Sequence, residues 1–293
     1  MRIKLLNVMA FVPDRLMLLL QYRMKTGRRL DLKNPQRYSE KLQWYKLYYR
    51  DPLMKQCADK YEVRRYIEDC GCAEILNEVY GVYDSADEVP FDRLPNEFVL
   101  KDTLGGGGDG VIIVRDKSRL DIEKTKKQMT EWTQRYAKKH FAREWVYEGG
   151  KHRIIVERYI ASEKEQGGLI DYKFFCFFGK VKYLYVIADR EVGKKAGFGI
   201  FDAEFNKLHI LRADEEPLLR EIPKPGNFEL MKRIAENLSK PFPHARIDLY
   251  NCDSGIVFGE VTFFDGSGYM TFEPDEFDYE LGKEFILPER SNA

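Results

Sequence analysis

The sequence lacks a surplus of charge, a rich set of cysteines and any long apolar run. Its 293 residues carry 48 basic and 48 acidic side chains, so no net field points to nucleic acid as a partner. No apolar stretch approaches the roughly 18 residues of a transmembrane helix, and no small-residue cleavage site follows the basic start. The five cysteines have no paired zinc spacing, which predicts reduced thiols in a cytoplasmic protein.

Several nucleotide-binding and catalytic motifs are also missing. A P-loop needs Gly-Lys-Ser/Thr before a helix, and a dinucleotide fingerprint needs a helix directly after its glycines; neither pattern occurs. The kinase motifs His-Arg-Asp and Asp-Phe-Gly are absent. No Ser-His-Asp or Cys-His arrangement can be assembled either. Catalysis through a nucleophilic side chain is therefore not expected.

The most informative stretch contains a glycine-rich loop between two predicted strands. The strand Phe98-Val99-Leu100-Lys101 ends on a lysine, and a β-branched run at residues 111–114 predicts the returning strand. Between them lie Gly105, Gly106, Gly107, Gly108 and Gly110. Such a loop lets backbone N–H groups approach an anion, and Lys101 supplies a compact positive charge. This predicts a flap over nucleotide phosphates; the alternative is a flexible turn with a surface lysine.

Other segments give a coarse map of helices and strands. Helices are predicted over residues 38–49, over residues 52–71 with Lys60 inside, over residues 120–139 and over residues 228–238. Strands are predicted over residues 153–160, 171–178, 181–187, 246–250 and 256–264, with Gly179-Lys180 as a tight hairpin turn. Taken alone, Lys60 could be a surface lysine paired with Asp59 or Glu62.

The N-terminal 30 residues are basic and apolar, with Asp14 as the one acid. A helix of this composition could lie on an anionic membrane surface. The alternative is a helix packed on the main body with a solvated basic face.

Two carboxylates lie in the predicted C-terminal hairpin. Asp248 and Glu260 fall on adjacent strands, each flanked by apolar residues. Burying a carboxylate is costly unless a positive charge holds it there. Magnesium bridging nucleotide phosphates meets that need, because Mg²⁺ is usually held by one or two carboxylates plus phosphate oxygens. A salt bridge to Arg246 or His244 is the alternative, and His244 itself fits a structural role or the orientation of a substrate.

Together these features resemble the ATP-grasp superfamily and, more narrowly, the TupA-like ATP-grasp proteins of bacterial surface-polysaccharide gene clusters. The order of the motifs is specific, with the two lysines 41 positions apart and the two acids 12 apart. The matching segments are Asn34-Pro35, Glu40-Lys41-Leu42-Gln43-Trp44, Asp59-Lys60, Phe98-Val99-Leu100-Lys101, Arg153-Ile154-Ile155-Val156-Glu157, Arg246-Ile247-Asp248-Leu249-Tyr250, Gly259-Glu260-Val261-Thr262-Phe263, Gly266-Ser267-Gly268, Leu281-Gly282 and Leu287-Pro288.

The resemblance implies an α+β ATP-grasp fold, in which two α+β subdomains grip ATP between antiparallel sheets. Residues 1–75 would form a short helical N-terminal extension. Residues 76–156 would form the lid subdomain with the glycine loop. Residues 157–293 would form the C-terminal subdomain with the adenine hinge and the magnesium site.

The resemblance also implies a role for each site residue, with ATP and Mg²⁺ as cofactors. Lys60 and Lys101 would bind the ATP phosphates, and the glycine loop would close over them. The adenine hinge would comprise Glu157, Tyr159 and Ile160. Asp171 or a nearby acid would hold the ribose. The metal ligands would be Asp248, Glu260 and Thr262. Arg246 would face the transferring phosphoryl group, with Arg190 as a second candidate and Lys101 assisting. Many ATP-grasp enzymes carry Asn where this chain has Thr262, which leaves the number of magnesium ions open.

The activity implied is an ATP-dependent carboxylate–amine ligase that works through an acyl phosphate. Its partners would be a carboxylate-bearing sugar or glycan, such as a uronic acid, and an amine such as an amino acid. A sugar kinase and a non-catalytic nucleotide-binding partner protein are the alternatives. We expect a cytoplasmic protein, at the inner face of the membrane if the basic N-terminal helix docks there.

Overall fold

The computed structural model describes residues 11–106, 110–134, 140–161, 169–189 and 195–290. Its α-helices are α1 (Asp14–Thr26), α2 (Tyr38–Tyr48), α3 (Pro52–Ala58), α4 (Val63–Asp69), α5 (Ile122–Thr133), α6 (Phe228–Ser239) and α7 (Glu276–Glu284). Its strands are β1 (Val79–Tyr83), β2 (Phe98–Asp102), β3 (Val111–Val114), β4 (Ile154–Arg158), β5 (Asp171–Phe177), β6 (Lys180–Ala188), β7 (Gly197–Asp202), β8 (Leu211–Arg212), β9 (Glu216–Pro217), β10 (His244–Cys252), β11 (Gly255–Thr262) and β12 (Phe272–Glu273).

The chain divides into two compact units. The larger unit comprises the described residues within Met1–Met54, Phe141–Glu144 and Ala161–Ala293, and the smaller unit those within Lys55–His140 and Trp145–Ile160. The division into three parts that the sequence predicts stays a prediction.

The smaller unit is built on an antiparallel four-stranded sheet in the order β1-β4-β2-β3. Helix α5 covers this sheet, and its first turn is capped by Asp121, whose side chain accepts the Lys124 N–H at 3.0 Å. Trp132 and Met129 of α5 are fully buried with Phe98, Leu100 and Val156 of the strands. The apolar side chains on one face of β2 and those on one face of α5 thus pack together in one core.

The larger unit is built on a six-stranded sheet in the order β11-β10-β5-β6-β7-β9, antiparallel except for β7 and β9. Helix α6 packs on one face, where Phe228 contacts Phe174. Helix α2 packs on the other face, where the Tyr38 ring contacts Phe175 and Phe177. Because strand residues alternate between faces, the face under α2 also carries the side chains of Arg246 and Asp248.

The structure corrects the prediction of one helix over residues 52–71. Helix α3 ends at Ala58 and α4 begins at Val63, and the turn between them carries Lys60. Asp59 causes the break, since its Oδ1 accepts the N–H groups of Tyr61 and Glu62 at 2.8 and 3.0 Å. The predicted helix over residues 120–139 is also shorter, and residues 135–139 lie outside the described part of the chain.

The strands of the predicted hairpins are confirmed, with one shift in a turn. The turn between β5 and β6 is Phe178-Gly179 and not Gly179-Lys180; both residues have positive φ, at 47° and 71°, as a type I′ turn requires. Among the described residues, no helix has the length and apolar composition to cross a membrane.

His244 has a structural role in the larger unit. It is fully buried, its Nδ1 donates to the Cys176 carbonyl at 3.0 Å, and its Nε2 accepts from the Tyr38 hydroxyl at 2.8 Å. This pattern fixes a neutral imidazole. Burial lowers the pKa of His244 to about 4, so the side chain stays uncharged at neutral pH. The structure therefore favours the structural role over the orientation of a substrate.

We expect this histidine to make the free energy of unfolding fall as the pH is lowered. The unfolded chain binds a proton near pH 6.5, whereas the folded chain resists protonation until about pH 4. The contribution is present above pH 6.5 and is lost as the pH falls, by roughly 2 kcal/mol between pH 7 and pH 5 for this group alone. Urea unfolding across that interval measures the slope.

The variant His244→Gln removes the titrating group. It should lower the stability at pH 7 but flatten its dependence on pH. His209→Gln, at an exposed position, is the matched control and should keep the wild-type slope. Equal slopes for the wild type and His244→Gln would contradict the assignment.

Candidate functional site

In the smaller unit, both predicted phosphate-binding lysines lie beside the glycine loop. The Lys60 ammonium donates to the Gly105 carbonyl at 2.5 Å, and its backbone N–H donates to the Thr103 carbonyl at 2.9 Å. Lys101, at the end of β2, forms an ion pair with Glu157 of β4 at 2.5 Å. An ammonium group has three donors, so each lysine can keep this contact and still bind a phosphate oxygen.

The base of the glycine loop is fixed by an aspartate–histidine pair that the sequence analysis missed. The backbone N–H of Asp102 donates to the Gly110 carbonyl at 2.8 Å, and the carbonyl of Asp102 accepts the Gly105 N–H at 3.1 Å. His152 Nδ1 contacts both carboxylate oxygens of Asp102, at 2.8 and 2.9 Å. A Cβ added at Gly105 would lie 2.9 Å from the Asp102 Cβ, and one added at Gly110 would lie 3.0 Å from it, so a side chain at either position would crowd Asp102.

The predicted adenine hinge follows strand β4. Glu157 is buried opposite Val99, and Tyr159 and Ile160 follow the strand as half-buried residues. Asn77 donates its side-chain N–H to the Arg158 carbonyl at 2.8 Å, which fixes the chain where the strand ends. The Arg115 guanidinium lies 5.5 Å from the centre of the Tyr159 ring.

In the larger unit, the two predicted metal ligands lie directly opposite each other. Asp248 pairs with Glu260, whereas the next pair along is Leu249 with Phe258, so Gly259 is the extra residue of a β-bulge. A Cβ at Gly259 would lie 3.0 Å from the Asp248 carbonyl oxygen. The two carboxylates share a face because they are directly paired, and the glycine permits the bulge that follows this pair.

The Arg246 guanidinium joins these carboxylates to a third. Its Nε and Nη2 donate to the two oxygens of Asp248 at 2.7 and 2.8 Å. Its Nη2 also donates to Glu260 at 2.9 Å and to the Thr262 hydroxyl at 3.0 Å. Its Nη1 donates to Asp265. The salt bridge considered as an alternative from the sequence thus exists, to Arg246 and not to His244.

Lys173 extends the charged cluster along β5. Its ammonium contacts Asp248, its cross-strand partner, and lies 2.8 Å from Asp171. Burial raises the pKa of Asp248 to about 6 against the opposing effect of Arg246 and Lys173. Asp171 thus lies beside the carboxylate pair, and its predicted contact with ribose stays a prediction.

Asp265 and Arg212 complete the cluster, and the sequence analysis missed both. Asp265 is buried and accepts from both arginines, at 3.5 Å in the case of Arg212 Nη1. Burial opposes its ionisation, but the charges of Arg212 and Arg246 hold the pKa of Asp265 below its usual value. The one available signal concerned Asp265, which is an acid in the apolar segment that follows Thr262.

Some predicted site residues cannot be placed. Gly107, Gly108 and Arg190 lie outside the described residues. Gly106 is described and exposed, and a Cβ added there would have no heavy atom within 4 Å.

The carboxylate pair fits a magnesium ion that arrives with a nucleotide. Within the described ranges, no three histidine, cysteine or acidic side chains are grouped closely enough to hold a metal ion alone. Mg²⁺ does not need such a group, because phosphate oxygens and waters complete its shell. Asp248 and Glu260 supply two carboxylates, and Thr262 adds a hydroxyl 3.1 Å from Glu260. Oxygen donors of this kind are those that Mg²⁺ prefers.

A glycine loop beside two lysines, and a carboxylate pair on adjacent antiparallel strands, are features of one class of fold. The model of the family described as TupA-like ATPgrasp matches residues 40–286, so the chain belongs to the TupA-like ATP-grasp family. The resemblance seen in the sequence and the predicted α+β ATP-grasp fold are thereby confirmed. No match to a curated protein was found.

Solved structures similar to the chain include two D-alanine–D-alanine ligases. The enzyme from Bacillus anthracis is 19% identical, with a TM-score of 0.45, over 71% of this chain and 57% of that one. The enzyme from Helicobacter pylori is 15% identical, with a TM-score of 0.42, over 80% and 60%. The ATP-grasp ligase PsnB, complexed with a phosphomimetic variant of minimal precursor, Mg and ADP, is 12% identical, with a TM-score of 0.44, over 85% and 66%. The chain thus spans less than two thirds of each of these proteins.

We expect Mg²⁺ to stabilise the chain through Asp248 and Glu260. Adding Mg²⁺ with a non-hydrolysable ATP analogue should raise the melting temperature of the wild type by several degrees, because ligand bound to the folded state alone stabilises it. Asp248→Asn/Glu260→Gln should lose the magnesium-dependent part of that rise, since amides are poor ligands for Mg²⁺.

The matched control removes two exposed carboxylates of the same unit, Glu216→Gln/Glu229→Gln. This variant should respond to Mg²⁺ like the wild type. A magnesium-dependent rise that is the same in the wild type and in Asp248→Asn/Glu260→Gln would place the metal elsewhere.

Proposed function

We propose that the chain is an ATP-dependent carboxylate–amine ligase that attaches an amine, such as an amino acid, to a uronic acid of a bacterial surface polysaccharide or its precursor. The observation that carries the proposal is Arg246 in contact with Asp248 and Glu260 on adjacent strands, in a chain of the TupA-like ATP-grasp family. The polysaccharide substrate rests on the family resemblance alone.

The phosphate-binding role falls to the smaller unit. Lys60 and Lys101 bind the polyphosphate, and the backbone N–H groups of the glycine loop close on it. Asp102 and His152 hold the two ends of that loop together. Glu157, Tyr159 and Ile160 bind the adenine at the strand end. The ribose falls to Asp171 or a nearby acid, and Asp171 belongs to the larger unit.

The charge-stabilising role falls to the larger unit. Asp248, Glu260 and Thr262 would hold Mg²⁺, which when bound neutralises phosphate charge. Arg246 orients the phosphoryl group, with Arg190 as a second cation for that charge. The acid's carboxylate oxygen attacks the γ-phosphorus, and ADP leaves. The amine nitrogen then attacks the acyl carbon, the C–O bond to phosphate breaks, and the amine proton passes to phosphate or solvent. The side chains contribute position and charge, not a covalent bond.

We expect ADP release from Mg-ATP to require both an acid and an amine. Glucuronate, galacturonate and their nucleotide sugars are combined with a panel of amino acids and amino sugars, and the amide is identified by mass spectrometry. Asp248→Asn/Glu260→Gln should reduce turnover at least 100-fold, since charge stabilisation of this kind accounts for about 10²–10³ in rate. Glu216→Gln/Glu229→Gln is again the control and should keep full activity.

The same assay separates the two alternatives. ADP formed with a sugar alone, and a phosphorylated sugar in the mass spectrum, would replace the ligase with a sugar kinase. Tight ATP binding with no turnover across the panel would replace it with a non-catalytic nucleotide-binding partner protein.

A further inference from the structure

We propose that Arg212 binds a carboxylate of the acid substrate, in a subsite that Asp214 occupies when the substrate is absent. The inference rests on the proposed function only for the identity of that acid. The subsite lies within the larger unit, where Arg212 shares Asp265 with Arg246.

Arg212 already forms the contact that recognises a carboxylate. Its Nε and Nη2 donate to the two oxygens of Asp214 at 2.8 and 3.0 Å, which is the parallel fork geometry of an arginine–carboxylate pair. The Arg212 side chain is 8% exposed, whereas that of Asp214 is 57% exposed. The buried Arg212 is thus covered by a carboxylate that lies largely in solvent. Because exposed ion pairs contribute little free energy, Asp214 can move away from Arg212 at little cost.

The surroundings of Arg212 hold its guanidinium in place without Asp214. Gly266 has a φ of +49°, and a Cβ there would lie 2.8 Å from Arg212 Nη2. The guanidinium also lies 5.5 Å from the Phe198 ring centre and 5.8 Å from that of Tyr185. Asp265 accepts from Nη1, on the other side of the fork from Asp214. The fork is therefore pre-organised.

One of the two rings that the Arg212 guanidinium contacts, that of Tyr185, carries a buried hydroxyl with no hydrogen-bond partner among the described residues. The Tyr185 side chain is 1% exposed. Leaving a buried hydroxyl unpaired costs free energy that a ligand can recover. Burial raises the pKa of Tyr185 far above its usual value, and the charges of Asp265, Arg212 and Arg246 also act on it. Tyr185 thus supplies a neutral donor for a sugar hydroxyl or a carboxylate oxygen.

The test measures binding of D-glucuronate by ligand-observed NMR, with D-glucose as the neutral counterpart. Asp214→Ala should tighten glucuronate binding at least threefold, because it removes the internal competitor. Arg212→Gln should abolish the preference for glucuronate over glucose. Arg212→Lys keeps the charge but loses the fork, so it should bind at least fivefold more weakly than the wild type.

Two exposed sites provide matched controls. Arg233→Gln removes an exposed arginine, and Glu229→Ala removes an exposed carboxylate that pairs with Lys224 at 2.9 Å. Both should bind glucuronate like the wild type. Equal binding by the wild type and Arg212→Gln, or no binding by Asp214→Ala, would overturn the subsite.

ATP binding by every variant is measured in parallel, since the subsite does not require it. If glucuronate binding depends on Arg212 but no amide forms, the ligase proposal fails and the subsite proposal stands. If Arg212→Gln forms the amide as fast as the wild type does, the subsite proposal fails and the ligase proposal stands.

A different observation carries a second proposal: we infer that the outer face of α1 binds the surface of an anionic phospholipid membrane. Leu16, Leu20 and Met24 lie four residues apart, on one line of the helix, and are 55%, 46% and 75% exposed. Phe11, just before the helix, is 83% exposed. This group of four residues is termed the α1 stripe.

The α1 stripe belongs to a helix that is already anchored on its other face. Leu18 and Tyr22 are fully buried, and the Tyr22 hydroxyl contacts the Ser39 hydroxyl at 2.8 Å. Gln21 donates to the Phe141 carbonyl at 2.8 Å. The α1 stripe therefore lies on the solvent-facing side of a helix whose other side is packed in the larger unit.

The charge around the α1 stripe favours an anionic surface. Arg15, Arg23 and Lys25 are exposed beside it. The one acid of the helix, Asp14, is neutralised by the buried Arg143 at 3.3 Å. Apolar side chains flanked by arginine and lysine are the composition of helices that lie in the headgroup region, where acyl chains take the apolar residues and phosphates pair with the cations.

Co-sedimentation of the full chain with vesicles tests this surface. The wild type should bind phosphatidylglycerol–phosphatidylcholine vesicles, bind less as salt rises, and bind pure phosphatidylcholine weakly. Leu16→Gln/Leu20→Gln/Met24→Gln and Arg15→Gln/Arg23→Gln/Lys25→Gln should each weaken binding at least tenfold. The matched control, Leu219→Gln/Leu230→Gln/Ile286→Gln, changes three other exposed apolar residues and should bind like the wild type.

Thermal unfolding confirms that each variant is folded before binding is compared. Wild-type binding that both α1 variants retain would overturn the proposal. A dimer in solution that Leu16→Gln/Leu20→Gln/Met24→Gln separates, without vesicle binding, would assign the α1 stripe to a second copy of the chain instead.

Discussion

The contact between Arg246 and its three carboxylates is the constraint on which the larger unit depends. A buried guanidinium costs several kcal/mol to desolvate, and its partners must repay that cost. Asp248, Glu260 and Asp265 do so from β10, β11 and the segment after β11. Loss of Arg246 would leave the buried Asp248 and Asp265 with one cation each, Lys173 and Arg212, so the pairing of these strands and the charged cluster stabilise each other.

The same carboxylates serve both explanations that the sequence left open. They pair with Arg246, and their oxygen atoms are also donors of the kind that Mg²⁺ prefers. The two carboxylates differ in exposure: the Asp248 side chain is 2% exposed and that of Glu260 is 43% exposed. The proposed magnesium site is compatible with these ion pairs, because a carboxylate has about four lone-pair positions and can contact a metal ion and a guanidinium together.

The sequence predicted what depends on local pattern. The carboxylates of β10 and β11 could be paired because a hairpin joins sequence neighbours and side chains alternate along a strand. Asp59 could have shown that the helix breaks at Lys60, since an aspartate often accepts N–H groups two residues ahead. Arg212 and Asp265 could not be joined in this way. Their contact depends on β8 pairing with β12, about 60 residues away, and these strands have two residues each.

On the face of the six-stranded sheet under α2, the side chains are apolar at one end of the strands and charged further along. This arrangement explains how the charged cluster can be held rigidly. At one end, His244 and Phe177 pack in an apolar environment with Tyr38, where a neutral histidine is required. Two and four residues further along β10 come Arg246 and Asp248, and every side chain of the cluster has an ionic partner. Because residues on one face of a strand are fixed relative to each other, the apolar end determines the position of the charged end. Side chains that take no part in the chemistry of the cluster therefore act together with the ion pairs of Arg246 to fix its position.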